Sequence, residues 1–292
     1  TRSQRPTWNP YLEDGSPASG FGRSDGNAEY WLDKYVAKNS TQRTTFSGGF
    51  TADIIKDHLI LDANASVLYY QYQNEYFWKA YKQQNAGLNA SRSANNEIEK
   101  YNQIQTNATL TYKNVFNDVH DLNVMIGGEY YTYDWYEFYA NVHGAPTDDI
   151  PTLNVAPDYD KVSSSKTAYR ILSAFGRVEY NYDMKYLLAL TGRYDGISRL
   201  ADNRWGFFPG ISAGWNVTRE AFWEESKLAD VITTLKPRVS FGTNGNVSGL
   251  GNYEVYGSYG TTTMYNGATA IVNNGLLNTG LRWEQSKTFE VG

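Results

Sequence analysis

Apolar and polar residues alternate with a period of two through much of the chain, the pattern of a strand with one wet and one apolar face. Over 103–113, Ile104, Thr106, Ala108, Leu110 and Tyr112 fall on one side, against Gln103, Gln105, Asn107, Thr109, Thr111 and Lys113. Over 173–182 the sides are Ala174, Gly176, Val178, Tyr180 and Tyr182 against Ser173, Arg177, Glu179 and Asn181, with Phe175 out of step. Over 185–195, Tyr186, Leu188, Leu190 and Tyr194 oppose Ala189, Thr191, Arg193 and Asp195. Ile211, Ala213, Trp215 and Val217 oppose Ser212, Gly214, Asn216 and Thr218; Leu235, Val239 and Phe241 oppose Lys236, Arg238 and Ser240. Noisier runs cover 43–56, 58–78, 120–139 and 282–291, which brings the expected count to roughly nine strands.

The connections alternate in length. Short polar turns are expected near Lys56-Asp57-His58, Asn117-Asp118-Val119-His120 and Asn181-Tyr182-Asp183, and long segments over about 79–100, 140–168, 196–206 and 244–280. Short turns at one end and long loops at the other is the layout of an antiparallel transmembrane β-barrel, with the long loops extracellular and the short turns periplasmic. The segment 219–233 is long yet falls on the short-turn side, and reads as a brief helix capped by Thr218. Proline at position 237 removes a ladder donor from its strand, so irregular pairing is expected there. Aromatic residues gather toward strand ends, in Tyr69–Tyr70–Tyr72–Tyr76–Phe77–Trp78 and Tyr130–Tyr131–Tyr133–Trp135–Tyr136–Phe138–Tyr139. These read as girdles where lipid headgroups begin. The alternative is a soluble two-sheet domain with aromatics packed between the sheets, although strands of roughly 12–20 residues are long for one.

Composition supports the same reading. The chain has 292 residues, with 25 Tyr, 12 Phe and 8 Trp, a load that suits surfaces half wet and half apolar. Mean hydropathy is −0.57, and no apolar run reaches the roughly 18 residues of a membrane helix; alternating barrel strands keep that mean low. A net charge of −5 offers no basic footprint for nucleic acid. With no Cys, disulfides and thiolate chemistry are excluded, and His58, His120 and His143 are too far apart for a ligand pair. Asp148-Asp149 and Glu224-Glu225 read as solvated charges, Gly249-Leu250-Gly251 lacks the rest of a dinucleotide fingerprint, and no Ser, His and Asp fall in a known triad order. No enzyme activity, metal or organic cofactor is expected. The opening Thr1-Arg2-Ser3-Gln4-Arg5-Pro6 carries no apolar signal core. An odd strand count, with the pattern still running at Thr288–Gly292, reads as a piece of a larger barrel.

Four blocks carry a family resemblance: Lys185-Tyr186-Leu187-Leu188-Ala189-Leu190-Thr191-Gly192-Arg193-Tyr194-Asp195-Gly196-Ile197-Ser198-Arg199; Asn203-Arg204-Trp205-Gly206-Phe207-Phe208-Pro209-Gly210-Ile211-Ser212-Ala213-Gly214-Trp215; Leu235-Lys236-Pro237-Arg238-Val239-Ser240-Phe241-Gly242-Thr243-Asn244-Gly245-Asn246; and Leu281-Arg282-Trp283-Glu284. In this order they resemble the barrel signature of SusC-like TonB-dependent outer-membrane transporters (the SusC/RagA family of Bacteroidetes). The match covers about 183–292, while 43–182 matches in style only. Ile197 stands where the family usually has Ser, and Leu200 where Phe is common.

The resemblance implies that residues 1–292 are a partial barrel domain of an all-β fold with about 22 strands around a plugged lumen. It implies a multi-pass protein of the cell outer membrane that imports large nutrient oligomers, glycans before peptides, with energy from TonB and under an SusD-like surface lipoprotein lid. The plug, the TonB box and the signal peptide are expected outside this stretch. A passive porin-type barrel and a soluble β-rich carbohydrate-binding module are the other function classes, with an outer-membrane hydrolase behind them.

The strand phase assigns Leu188, Leu190 and Trp215 to lipid, and Arg177, Glu179, Arg193, Asp195, Lys236 and Arg238 to the lumen. Arg199 and Trp205, flanking one turn, and Tyr253, Tyr256, Tyr259 and Tyr265, in the Gly-rich loop 244–280, are the candidates to face substrate or lid. For the first pair a structural clamp on the turn is the plainer role, and for the tyrosines the ordering of a long surface loop.

Overall fold

A computed structural model of the chain describes residues 9–21, 23, 26–83 and 86–292. The main structure is a nine-stranded sheet in which every strand neighbours the next one in the chain. The strands are β1 (Tyr35–Ile55), β2 (Leu59–Trp78), β3 (Ala94–Phe116), β4 (His120–His143), β5 (Asp158–Tyr182), β6 (Tyr186–Ile197), β7 (Trp205–Trp215), β8 (Arg238–Asn246) and β9 (Glu284–Val291). Where partners are resolved residue by residue, from β5 to β9, all pairs are antiparallel. Two small hairpins sit in the connections, Tyr81–Lys82 with Leu88–Asn89 and Ser258–Tyr265 with Ala268–Gly275.

Turn chemistry fixes three hairpins at one end. Asn117 and Asp118 both adopt positive φ, at 51° and 59°, and so do Asp183 and Met184, at 48° and 55°. Consecutive positive φ values define the tight turn whose twist matches that of the flanking strands. Asp57 alone turns positive between β1 and β2, at φ 64°.

The strands run further than the alternation showed. β4 continues to His143 and β5 begins at Asp158, so the connection expected over 140–168 shortens to 144–157, with a 3₁₀ turn at Leu153–Val155. β3 begins at Ala94, inside the expected 79–100 loop.

Two local readings are corrected. The helix after β7 is a 3₁₀ turn, Val217–Arg219, and then a single α turn, α1 (Ala221–Glu224), whose N-cap is Glu220 rather than Thr218. Thr218 lies inside the 3₁₀ turn, not at the start of the helix. Pro237 lies just outside β8, so no ladder donor is lost within that strand. Its carbonyl accepts from Trp215 N at 3.0 Å and extends the β7 pairing regularly.

The chain divides into two compact units. In the first, residues 1–44, 69–102 and 134–167, Phe77, Ala94, Val142, Ala145 and Ala156 form a buried cluster. Phe77, expected in a girdle at the lipid boundary, is 1% exposed there; its ring fills a core, which outweighs an interfacial position. Asp148 in the 144–157 connection accepts from Ala80 N at 2.9 Å and from Arg92 Nε at 2.6 Å. Burial pushes its carboxyl up, and those donors outweigh burial and hold it below the usual carboxylate range. The second unit, residues 45–68, 103–133 and 168–292, has its core where the middle of β5 meets the end of β6. There Ile197, Leu200, Ala201 and Val255 are buried, with Tyr169, Ile171 and Trp283 against them.

Candidate functional site

The register of β5 to β9 sorts the second unit into two faces. One row reads Val178–Leu190–Ile211–Phe241–Phe289 and the next Tyr180–Leu188–Ala213–Val239–Val291. Displaced by one residue, the opposite face reads Glu179–Ala189–Ser212–Ser240–Glu290 and Arg177–Thr191–Gly210–Gly242–Thr288. The apolar rows are not covered by protein: Val178, Leu190, Ile211, Phe241 and Phe289 are 37–66% exposed. An apolar surface of that extent, built of ordered strands, suits lipid rather than water.

Aromatic residues bound that face. At the turn end, Tyr186 stacks on Trp215 at 6.4 Å between centroids. At the other, Tyr194 stacks on Trp205 at 5.0 Å with planes 7° apart. Eight to ten residues separate the two along β6, roughly 26–33 Å of strand, or about 20–25 Å along the axis at the usual barrel tilt. That is the height of an outer apolar band between its girdles. The register therefore sets Trp205 on the face of Leu190 and Phe207, a placement the loop assignment from sequence did not anticipate.

The polar face carries ordered charges. Arg193 donates from Nε to Asp195 at 2.7 Å, and from a terminal nitrogen to Glu129 at 2.9 Å and to Ser173 Oγ at 2.8 Å. Glu129 accepts in turn from Gln105 at 3.0 Å, so one network crosses β3, β4, β5 and β6. Ser173 and Asp195 are 2% and 9% exposed. Further toward the turns, Arg177 pairs with Glu179, which also accepts from Asn123 at 3.0 Å. Arg177, Glu179, Lys236, Arg238 and Glu290 line one groove of about 1090 Å³. The six residues assigned to the lumen thus lie on the polar face or border its groove. Gln105, Glu129 and Ser173 are not among the site candidates from sequence; Gln105 and Ser173 show there only as the wet side of two alternating runs, and what joins the three is the pairing of distant segments.

The loop residues separate. Arg199 lies over the Tyr169 ring, its guanidinium carbon 4.2 Å from the centroid. Tyr253 accepts from Ala168 N at 3.0 Å, and the 3₁₀ turn Glu254–Tyr256 buries Val255. Tyr256, Tyr259 and Tyr265 are 52%, 73% and 78% exposed, the last two on the hairpin 258–275. Beside the turn-end girdle, Trp215 Nε1 donates to Glu220 at 3.0 Å. The Tyr186 hydroxyl first, and that indole second, hold the Glu220 carboxyl below the usual carboxylate range.

An uncovered apolar band between aromatic girdles, backed by a charged and hydrogen-bonded face, defines the wall of a membrane-spanning β-barrel. The chain belongs to the TonB-dependent receptor-like β-barrel family, whose model matches residues 1–292. It is 30% identical over 191 residues to "TonB-dependent receptor P3" of Formosa agariphila, covering 63% of this chain and 18% of that protein. It is 28% identical over 183 residues to "TonB-dependent receptor SusC" of Bacteroides thetaiotaomicron, covering 59% and 17%. Among solved structures, that of the RagAB peptide transporter superposes with a TM-score of 0.82 at 21% identity, covering 97% of this chain and 32% of the other. The chain thus spans about a fifth of the curated relatives it matches and about a third of that solved chain. The family is one of receptors and transporters, not of enzymes.

Proposed function

We propose that the protein to which this wall belongs imports large hydrophilic oligomers, glycans in the first place, across the outer membrane with energy delivered through TonB. The observation that carries the reading is the pairing of the two faces. The apolar rows satisfy lipid, while one residue away Arg193, Glu129, Asp195 and Arg177 present fixed charges and hydrogen-bonding groups, the surface a solvated cargo needs. Family membership supports the TonB requirement.

An SusD-like lipoprotein is the proposed lid, and the hairpin 258–275 is its proposed docking element. Tyr259, Met264, Tyr265 and Ile271 are 63–78% exposed there, and aromatic and aliphatic anchors of that kind concentrate binding energy when a partner covers them. The passive-porin reading differs in one measurable respect.

Uptake of labelled oligosaccharides by cells carrying the full-length protein, with and without TonB, separates the two. Uptake that stops without TonB, while surface binding persists, supports the importer. Uptake that continues unchanged establishes a passive pore. Replacing 258–275 with a Gly-Ser linker is expected to reduce lid co-purification while barrel assembly continues; unchanged co-purification removes the hairpin from the docking role.

A further inference from the structure

The short connection between β6 and β7 sends its apolar residues inward: Leu200 is 0% exposed and Ala201 7%, both in the cluster with Ile197 and Val255. Arg199, their neighbour, has its guanidinium carbon 4.2 Å from the centroid of the Tyr169 ring. Tyr131 and Tyr133 complete the cluster, with ring centroids 5.7 and 5.3 Å from that of Tyr169. The tyrosines share the polar face with Ser173 and Glu129 by the alternation of β4 and β5.

The arginines around it are hydrogen-bonded, and the Arg199 Nε is not. Arg193 binds Glu129, Asp195 and Ser173. Arg170 donates to the carbonyls of Tyr133 and Tyr169 at 3.0 and 2.9 Å. Arg199 Nε is shielded from solvent and has no hydrogen-bond partner among the described residues. Three carboxylates of this unit are committed elsewhere: Asp195 and Glu129 to Arg193, and Glu254 to the Gly251 N–H at 2.9 Å. Arginine stays charged at any working pH, and buried donors are normally satisfied. A guanidinium held on an aromatic ring is a preorganised fork for two oxygens of a carboxylate or a tetrahedral oxyanion.

We infer that Arg199, seated on Tyr169, is the point at which the pore reads an anionic group on an oligosaccharide cargo. The inference rests on the importer reading above and narrows its substrate class. The rings of Tyr131, Tyr133 and Tyr169 favour a saccharide over a peptide, because they combine flat apolar faces for a pyranose ring with hydroxyls for its polar edge. Carboxylate and sulfate groups share the required chemistry.

The test uses the purified full-length protein on immobilised neutral, uronate-bearing and sulfated oligosaccharides and on Glu-rich peptides, comparing wild type with Arg199→Gln and Arg199→Lys. Retention of uronate-bearing or sulfated members above neutral ones, weakened about tenfold in Arg199→Gln and only partly restored in Arg199→Lys, is the expected result. Neutral members should bind all three proteins alike. Which acidic group is retained tells uronate from sulfate. No preference for acidic saccharides, preference for the peptides, or an Arg199→Gln variant that binds acidic members like wild type would each overturn the inference. Should Arg199→Gln fail to assemble, the Arg199→Lys variant and loss of the acidic preference at high salt in wild type carry the same decision. Neutral binding with TonB-dependent uptake intact would leave the importer reading standing while this one fell.

Discussion

Tyr194 and Trp205 stack across neighbouring strands with their planes 7° apart, because the residue opposite Trp205 is a glycine. A Cβ placed on Gly196 would lie 2.5, 2.6 and 2.8 Å from three Trp205 ring carbons. The indole therefore covers bare backbone and is held flat between Gly196 and Tyr194, at the lipid boundary where a rigid aromatic pair anchors the wall. Gly196→Val should push the indole out and lower barrel stability by about 1–3 kcal/mol. Urea unfolding in detergent, followed by heat-modifiable gel migration, measures it; an unshifted midpoint would show that the stack anchors nothing.

The Arg193 network makes a second prediction. Its partners are poorly hydrated, with side-chain exposures of 22% for Glu129 and 13% for Asp195. Arg193→Met removes the cation and leaves two carboxylates facing each other. Because Arg193 itself is 41% exposed, screening reduces the penalty of a fully buried pair to about 1–3 kcal/mol. Adding Glu129→Gln and Asp195→Asn should recover most of it. A single Arg193→Met variant that unfolds with wild type would mean the three groups are independently solvated.

How much of this was legible depends on what each face touches. The run 185–195 could be read because one side meets lipid and the other water, so the alternation is clean. The start of β5, in Lys161-Val162-Ser163-Ser164-Ser165-Lys166, is wet on both sides and carries no period. The hairpin 258–275 has its signal in Asn266-Gly267, whose φ values of 49° and 81° make the turn that dipeptide favours, although the surrounding Gly-rich sequence reads as one long loop. The Arg193–Glu129 pair joins residues 64 apart, and only strand register brings them together. Trp205 reads as a loop residue from its nearness to a turn, whereas its face is fixed by where β7 begins.

Glu220 gives a pH prediction. Its carboxyl, ordinarily near 4.5, is held lower in the folded protein by the Tyr186 hydroxyl and the Trp215 indole. A depressed folded-state value adds stability that is present above the unfolded pKa and is lost as pH falls through the folded one. The contribution is therefore expected in full at neutral pH and should fade below about 4.5. Glu220→Gln should flatten that part of the acid profile of the unfolding midpoint. Superimposable profiles for the two proteins would separate Glu220 from the girdle.

The strand phase underlies the wall, the lumen and the cargo alike, and two adjacent residues test it. Leu190 lies midway between the Tyr186 and Tyr194 girdles, in the row Val178–Leu190–Ile211. Ala189 lies on the other face, opposite Glu179 and Ser212. An Arg at position 190 meets hydrocarbon near the middle of the band, where Arg or Lys costs roughly 2–4 kcal/mol. An Arg at position 189 enters the polar groove and gains Glu179 as a cross-strand partner. Leu190→Arg should assemble poorly or unfold at lower urea, while Ala189→Arg should assemble and migrate like wild type. A one-residue slip exchanges the faces completely, so the reverse outcome would invert every assignment to lumen and lipid, and two harmless substitutions would take the strand out of the membrane.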